Sequence, residues 1–302
     1  MRESINDITV IILTLNEEIH IRRCIESAKK YSNDIYVIDS FSTDKTIEIA
    51  KSFNVNILQN QFINYSKQFA WALDNIEFKT KWILRLDADE YLEEDLISEI
   101  KTKLPKLKKE ISGINFLIKT IFMNKWIKYG GRYPLINLRL WKNGFGKIED
   151  RWMDEHMIIE NGTMTTFKNN MCNHNLKSLS FFINKHDWYA GREALDIIIN
   201  DRHKNFSHLK NSSFKTRFKR FLKERFYNKL AIGLRSFLYF IFRYFFLLGF
   251  LDGKIGFIYH FLQGFWYRFL VDCKLYEFKN IIKDTKDRNE IIKQLSNFIN
   301  QK

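Results

Sequence analysis

The sequence is poor in the residues that staple or interrupt small folds. Its 302 residues include three cysteines and two prolines. Cys24, Cys172 and Cys273 are odd in number, far apart and free of any C-x-x-C pair, which argues against a disulfide framework or a cysteine-based zinc site. A reducing cytosolic compartment is the expectation. Pro105 and Pro134 are too few for a proline-rich linker. No secretory signal is expected at the N-terminus, because the apolar run Ile8–Leu13 is short and gives way to Asn-Glu-Glu. Neither G-x-x-x-x-G-K-[ST] nor G-x-S-x-G occurs, which argues against a P-loop nucleotidase and an α/β-hydrolase.

Acidic residues are also scarce in one part of the chain. Residues 1–110 hold 16 Lys+Arg and 19 Asp+Glu, whereas residues 111–302 hold 33 and 16. The whole positive excess therefore lies in the second part and calls for a polyanionic partner, nucleic acid or an anionic membrane surface. What the chain has in plenty is aromatic: 28 Phe, 13 Tyr and 7 Trp.

The first hundred residues alternate short apolar runs with helical patterns. Ile8–Leu13, Ile35–Ile38, Val55–Leu58 and Trp82–Leu86 read as buried strands. Ile19–Ala28, Lys45–Ser52, Lys67–Leu73 and Glu93–Leu104 read as helices, the second capped by Asp44. This alternation predicts βαβ units and a mainly parallel, doubly wound sheet. Gly113–Ile118 and Asn137–Trp141 read as further strands, and Phe181–Ile199 as a helix. Phe214–Lys229 then reads as a basic amphipathic helix, with Phe214, Phe218, Phe221, Leu222 and Phe226 in phase. Ser236–Leu251 and Ile255–Tyr267 follow, rich in Phe, Tyr, Leu and Ile. Arg243 interrupts the first, and the second is shorter than the roughly 20 residues of a membrane span. An interfacial or re-entrant placement is the expectation.

In an open α/β sheet, ligands bind beyond the carboxyl ends of the strands. Thr14, Asn16 and Glu17 follow the first strand, Asp39 the second, and Asp87 and Asp89 the fourth. In a parallel sheet these groups converge on one crevice. The pair Asp87-Ala88-Asp89 offers oxygen ligands to Mg²⁺ or Mn²⁺ and leaves coordination sites for a diphosphate.

Three blocks carry a resemblance: Val10–Glu18 (VIILTLNEE), Val37–Asp44 (VIDSFSTD) and Leu84–Glu90 (LRLDADE). In order and spacing they resemble the signature blocks of family 2 glycosyltransferases, most closely the branch with lipopolysaccharide-core β-1,4-glucosyltransferases. The resemblance continues through His174, Leu176, Lys185, Trp188-Tyr189 and Ala194 to Gly249–Gly256. It implies a GT-A fold, Rossmann-like with flanking helices, over residues 1–204. The basic, aromatic helical region over 205–302 would lie against a membrane surface. It implies a nucleotide-diphospho-sugar donor, UDP-linked, and inversion at the anomeric carbon.

Carried over, Thr14, Asn16 and Glu17 would line the nucleotide pocket, and Asp39 would contact base or ribose. Asp87 would lie near ribose and diphosphate, Asp89 would bind the metal, and Lys67 and Arg85 would face the phosphates. The family's base stands in an acidic pair after the last strands. Glu155 matches it best here, Asp154 is the alternative, and Glu149-Asp150 is a more distant one. Trp152 is a candidate for stacking on a sugar ring.

The expected partners are a nucleotide-sugar donor, a glycan or lipid-linked glycan acceptor of the cell envelope, and an anionic membrane. The expected place is the cytoplasmic face of that membrane. No nucleic acid is expected, and the oligomeric state is open. The competing readings are a sugar-nucleotide pyrophosphorylase, which Thr14–Glu18 disfavours by lacking glycine, a nucleic-acid binder, and an inactive scaffold.

Overall fold

A computed structural model describes residues 7–149, 156–202, 232–282, 285, 287 and 290–295. The chain divides into two compact units, Met1–Lys177 and Ser178–Lys302. Each has its own hydrophobic core.

The first unit is built on strands whose sequences are continuous apolar runs. β1 (Ile8–Thr14) is buried at all seven positions, as a strand covered on both faces must be. β2 (Asp34–Asp39), β3 (Asn56–Gln59) and β4 (Trp82–Asp87) join it in the order β3–β2–β1–β4, all parallel. Helices connect them. α1 (Ile21–Ala28) buries Ile21, Cys24, Ile25 and Ala28, the face its spacing predicts. α2 (Thr46–Ser52) starts beside Asp44, whose carboxylate accepts the Thr46 backbone N–H at 2.9 Å. α3 (Tyr65–Asn75) is capped by Asn64, which accepts the Lys67 N–H at 2.8 Å.

Beyond β4 the sheet becomes mixed. β8 (Leu135–Lys142) is antiparallel to both β4 and β6 (Ile111–Phe122), so β6 runs the same way as β4. β11 (Thr163–His174) is parallel to β6. β5 (Glu90–Leu92) closes that edge antiparallel to β11, and β7 (Lys125–Ile127) folds back on β6. Six of the nine strands thus point one way. This mostly parallel sheet with flanking helices is the expected GT-A arrangement. β9 (Gly146–Ile148) and β10 (Met157–Ile159) form a separate antiparallel pair.

α4 (Glu94–Lys103) has acids in its first turn and lysines in its last, matching the helix dipole. It also secures β11 where that strand bulges between Thr166 and Asn170. The Glu99 carboxylate accepts the N–H groups of Lys168 (3.0 Å) and Asn169 (3.0 Å) there.

The second unit is helical. α5 (Leu179–Arg202) and α8 (Tyr267–Ile281) pack through Ala190, Ala194, Leu195, Ile198, Val271, Leu275 and Phe278. Between them in the chain, α6 (Leu234–Ile241) runs into a π-helical turn, Phe242–Phe246. A 3₁₀ turn, Gly249–Asp252, leads into α7 (Gly253–His260), which continues through a second π turn, Phe261–Trp266, into α8. The segments Leu234–Phe246 and Gly249–Ile281 meet at a bend of 73°. Among the described residues no single helix is long and apolar enough to cross a membrane, whereas this bent pair passes on length and composition together. The basic helix read at Phe214–Lys229 lies outside the described residues.

Candidate active site

The carboxyl ends of β1, β2 and β4 lie side by side, because Thr14 pairs with Asp39 and Leu13 with Asp87 in the strand register. Asp39 is fully buried and its carboxylate is saturated with donors. Oδ1 accepts from the Thr14 hydroxyl (3.2 Å) and the Ser42 hydroxyl (2.5 Å). Oδ2 accepts from the Ser42 N–H (2.9 Å) and Gln59 Nε2 (3.0 Å). Those bonds lock the β2–α2 loop into one shape.

That loop in turn shapes the β1–α1 loop. Asn16 has φ +55°, a left-handed conformation in which its Oδ1 accepts the Thr43 N–H at 2.8 Å. Asparagine tolerates this region better than most residues. Glu17 accepts from His20 Nδ1 at 2.5 Å and Lys177 Nζ at 2.8 Å. Burial alone would raise its carboxyl, but the bonds from His20 and Lys177 hold it below the usual range. His20 Nε2 accepts the Leu176 N–H at 2.7 Å, so Nδ1 carries the proton shared with Glu17.

The turn after β4 holds the second cluster. Asp87 and Asp89 are partly exposed, and Glu90, the first residue of β5, is buried. Glu90 accepts from Arg139 at 2.6 Å and from the Asp87 N–H at 3.0 Å. Burial pushes Glu90 up to about 7; Arg139 opposes this, while Asp87 and Asp89 add to it. Asp87 lies 3.6 Å from Arg85 and 3.9 Å from Arg139. Asp89 instead accepts from the Asn175 amide at 3.0 Å.

The end of β11 closes over this turn. His174 N–H donates to the Asp89 carbonyl at 3.0 Å. Arg23 donates to the His174 carbonyl at 2.6 Å and to its Nδ1 at 3.1 Å. An arginine only donates, so Nδ1 is the acceptor and Nε2–H faces Asn124 Oδ1 at 3.0 Å. Burial, helped by Arg23 and His20 and opposed by Asp89, lowers the His174 value.

Thr14, Asn16, Glu17, Asp39, Asp87 and Asp89 are thus brought to one edge. Arg85 is buried below it, over the Phe69 ring at 5.3 Å, with its guanidinium directed at Asp87. Lys67 is exposed in the first turn of α3. Asp154 and Glu155 lie outside the described residues, as do Asp150 and Trp152. The flanking residues are described: Glu149 N–H donates to the His156 carbonyl at 3.0 Å, and the Glu149 carbonyl accepts from Ser66 of α3 at 2.7 Å.

The donor set suits a hard divalent cation, since two carboxylates project from one turn. Among the described residues no three His, Cys, Asp or Glu side chains gather as a complete metal shell. Asp89 and Asp87 would therefore leave the remaining positions to phosphate and water oxygens. Sequence reasoning missed Glu90, Arg139, Arg23, Asn175 and Lys177. Glu90 stood in plain view after Asp87-Ala88-Asp89, but its charge partner is 49 residues away, a pairing that no local pattern signals.

Comparison with known proteins bears on the family of the chain. The sequence profile of Glycosyl transferase family 2 matches residues 9–176. An uncharacterized glycosyltransferase of Rickettsia bellii is 38% identical over 94 residues, 31% of this chain and 31% of the relative. The lipopolysaccharide core biosynthesis glycosyltransferase LpsC of Rhizobium meliloti is 26% identical over 147 residues, 47% of this chain and 53% of the relative. The chain therefore matches between about a third and a half of the length of these curated relatives. Among solved structures, glucosyl-3-phosphoglycerate synthase of Mycobacterium tuberculosis, crystallised with Mn²⁺, UDP and glucosyl-3-phosphoglycerate, is 19% identical with a TM-score of 0.30. That likeness covers 38% of this chain and 43% of the other. More than half of the sequence matches the family profile, and the chain belongs to glycosyl transferase family 2.

Proposed function

We propose that the protein is an inverting glycosyltransferase that moves a hexose from a UDP-sugar to a hydroxyl of a lipid-linked or cell-envelope glycan. The observation that carries this reading is the convergence of Thr14–Glu17, Asp39 and Asp87–Glu90 at the carboxyl edge of the parallel strands. The edge that carries Thr14, Asn16, Glu17 and Asp39 takes the nucleoside, with Lys67 and Arg85 on the phosphate side. The name of the Rhizobium relative supports a lipopolysaccharide-type acceptor. The basic C-terminal region supports work at the cytoplasmic face of an anionic membrane. The nucleic-acid and scaffold readings are not favoured beside the family assignment.

Inversion in one displacement requires a carboxylate to accept the acceptor hydroxyl proton as oxygen attacks the anomeric carbon and the bond to the diphosphate breaks. Glu155 takes that role, with Asp154 as its alternative. Glu149, the last described residue before this stretch of sequence, is tied to α3 through Ser66, two residues from Gln68, which bonds Ser40 just after β2. Asp89, with Asp87, would hold Mn²⁺ or Mg²⁺, which offsets the charge gathering on the leaving diphosphate. Arg139 and Glu90 fix Asp87 from behind, so the turn is preorganised before substrate arrives.

A thermal-shift screen against nucleotide sugars, with and without Mn²⁺, tests the reading. Ligand at a hundred times its Kd stabilises the native state by about 2.7 kcal/mol. The expected result is a Mn²⁺-dependent shift with one UDP-sugar that Asp89→Ala removes. A shift that survives in Asp89→Ala would overturn the metal assignment. Folded protein that responds to no UDP-sugar would overturn the donor class.

A further inference from the structure

We propose that the bend between α6 and α7 is a membrane wedge, which inserts its Phe and Leu side chains into the interfacial layer of an anionic lipid leaflet. This rests on the membrane-surface reading above and adds which residues enter the lipid.

The stretch Ser236–Gly253 contains two charged residues, Arg243 and Asp252. Both are buried, at 4% and 3% exposure. The side chains left exposed along it are all apolar, among them Phe237, Phe242, Phe245, Phe250 and Leu251, with Phe246 at 74%. An uncharged surface of this kind is rare on a protein that meets only water, and it marks a docking site.

Four features select lipid as the occupant. The first is reach: the 13 residues of Leu234–Phe246 span about 20 Å at a helical rise of 1.5 Å per residue, short of the roughly 30 Å hydrocarbon layer. After them the chain turns by 73°, which breaks a straight crossing and is compatible with a path that stays in one leaflet. The second is the backbone. Irregular chain in an apolar medium must satisfy its own polar groups. Here Leu247 N–H donates to Phe242 (3.0 Å), Leu248 to Phe245 (3.3 Å) and Leu251 to Leu248 (3.0 Å).

The third feature is stiffness. Inside the bend, His260 Nε2 lies 3.5 Å from the Asp252 carboxylate, and Arg243 stands over the Tyr239 ring at 5.6 Å. Gly249 is needed for this contact, because a Cβ there would approach the His260 ring to 2.8 Å. The polar cluster thus holds the apolar faces outward. The fourth is charge: by sequence, residues 178–302 carry 23 Lys+Arg against 11 Asp+Glu, so this part of the chain as a whole favours anionic headgroups.

The test uses the full-length protein and mixed phosphatidylcholine–phosphatidylglycerol vesicles. In Phe246→Trp, brominated acyl chains should quench fluorescence beyond the quenching seen in wild type. Phe246→Ser with Phe250→Ser should lower vesicle affinity on the order of 100-fold, as loss of two buried phenyl groups requires, and leave the nucleotide-sugar thermal shift unchanged. Wild-type binding to vesicles without excess quenching in Phe246→Trp would overturn the wedge and leave the membrane reading standing. Failure of the wild type to bind vesicles at all would overturn both. Dissociation of a wild-type oligomer in the double-serine variant, read by light scattering without any vesicle effect, would assign the face to a second copy and overturn the wedge. If the double variant fails to fold, the Phe246→Trp quenching decides alone.

Discussion

Both units of the chain bury charged groups, but they use them differently. In the first unit, Arg139, Glu90 and Arg85 sit beneath a turn whose Asp87 and Asp89 stay partly exposed. The buried charges there shape and tune an open acidic edge. In the second unit, Arg243, Asp252 and His260 are enclosed by aromatic helices, and the surface they support carries no charge from Ser236 to Gly253. Buried charge thus signals chemistry only where it backs groups that a ligand can reach. Elsewhere the same residues brace a shape.

The largest effect expected on this comparison concerns the chemical step itself. Glu155→Gln should keep the UDP-sugar thermal shift and lose transfer by about 10²- to 10⁴-fold, as removal of a general base does. Single-turnover transfer assays check it, and near-wild-type transfer would move the base to Asp154. The next effect separates the two kinds of buried charge. Arg139→Met leaves Glu90 buried without its cation and should destabilise the protein by about 3–5 kcal/mol. It should also weaken the donor-induced shift, because Asp87 loses a neighbour at 3.9 Å. Asp252→Asn should lower the melting temperature and leave the donor shift unchanged. If Asp252→Asn weakened the donor shift and Arg139→Met did not, the contrast between the units would fail.

The sequence made the first four strands and their helices legible because each is a short apolar run or a clear helical stripe. Their polar ends followed directly, so Thr14, Asn16, Glu17, Asp39, Asp87 and Asp89 could be named together. β11 was not visible. It reads TMTTFKNNMCNH, its bulge breaks the alternation, and few of its side chains are buried. Arg139, Asn175 and Lys177 were missed with it, because they act across the fold on partners far away in sequence. In the second unit, helical spacing identified helices but could not tell a core face from an exposed one. Phe278 is fully buried and Phe246 is 74% exposed, although both lie in aromatic helical stretches.

The smallest expected effect concerns a buried charge in the first unit that backs no ligand. Glu99 accepts from the Lys168 and Asn169 N–H groups at the β11 bulge, and from Lys103 at 2.7 Å. Burial alone would raise its carboxyl, but these donors hold it below the ordinary range. A carboxyl lowered in the folded state contributes stability that is complete above the unfolded value of about 4.3 and is lost as pH falls through the folded one. Glu99→Gln should therefore cost about 1–3 kcal/mol at neutral pH, and its deficit against wild type should shrink as pH falls below about 4. Denaturant midpoints at several pH values measure this. The donor shift should not change, because Glu99 serves the strand and not the acidic edge. A deficit independent of pH would mean that shape at the bulge, and not the charge of Glu99, holds β11 in register.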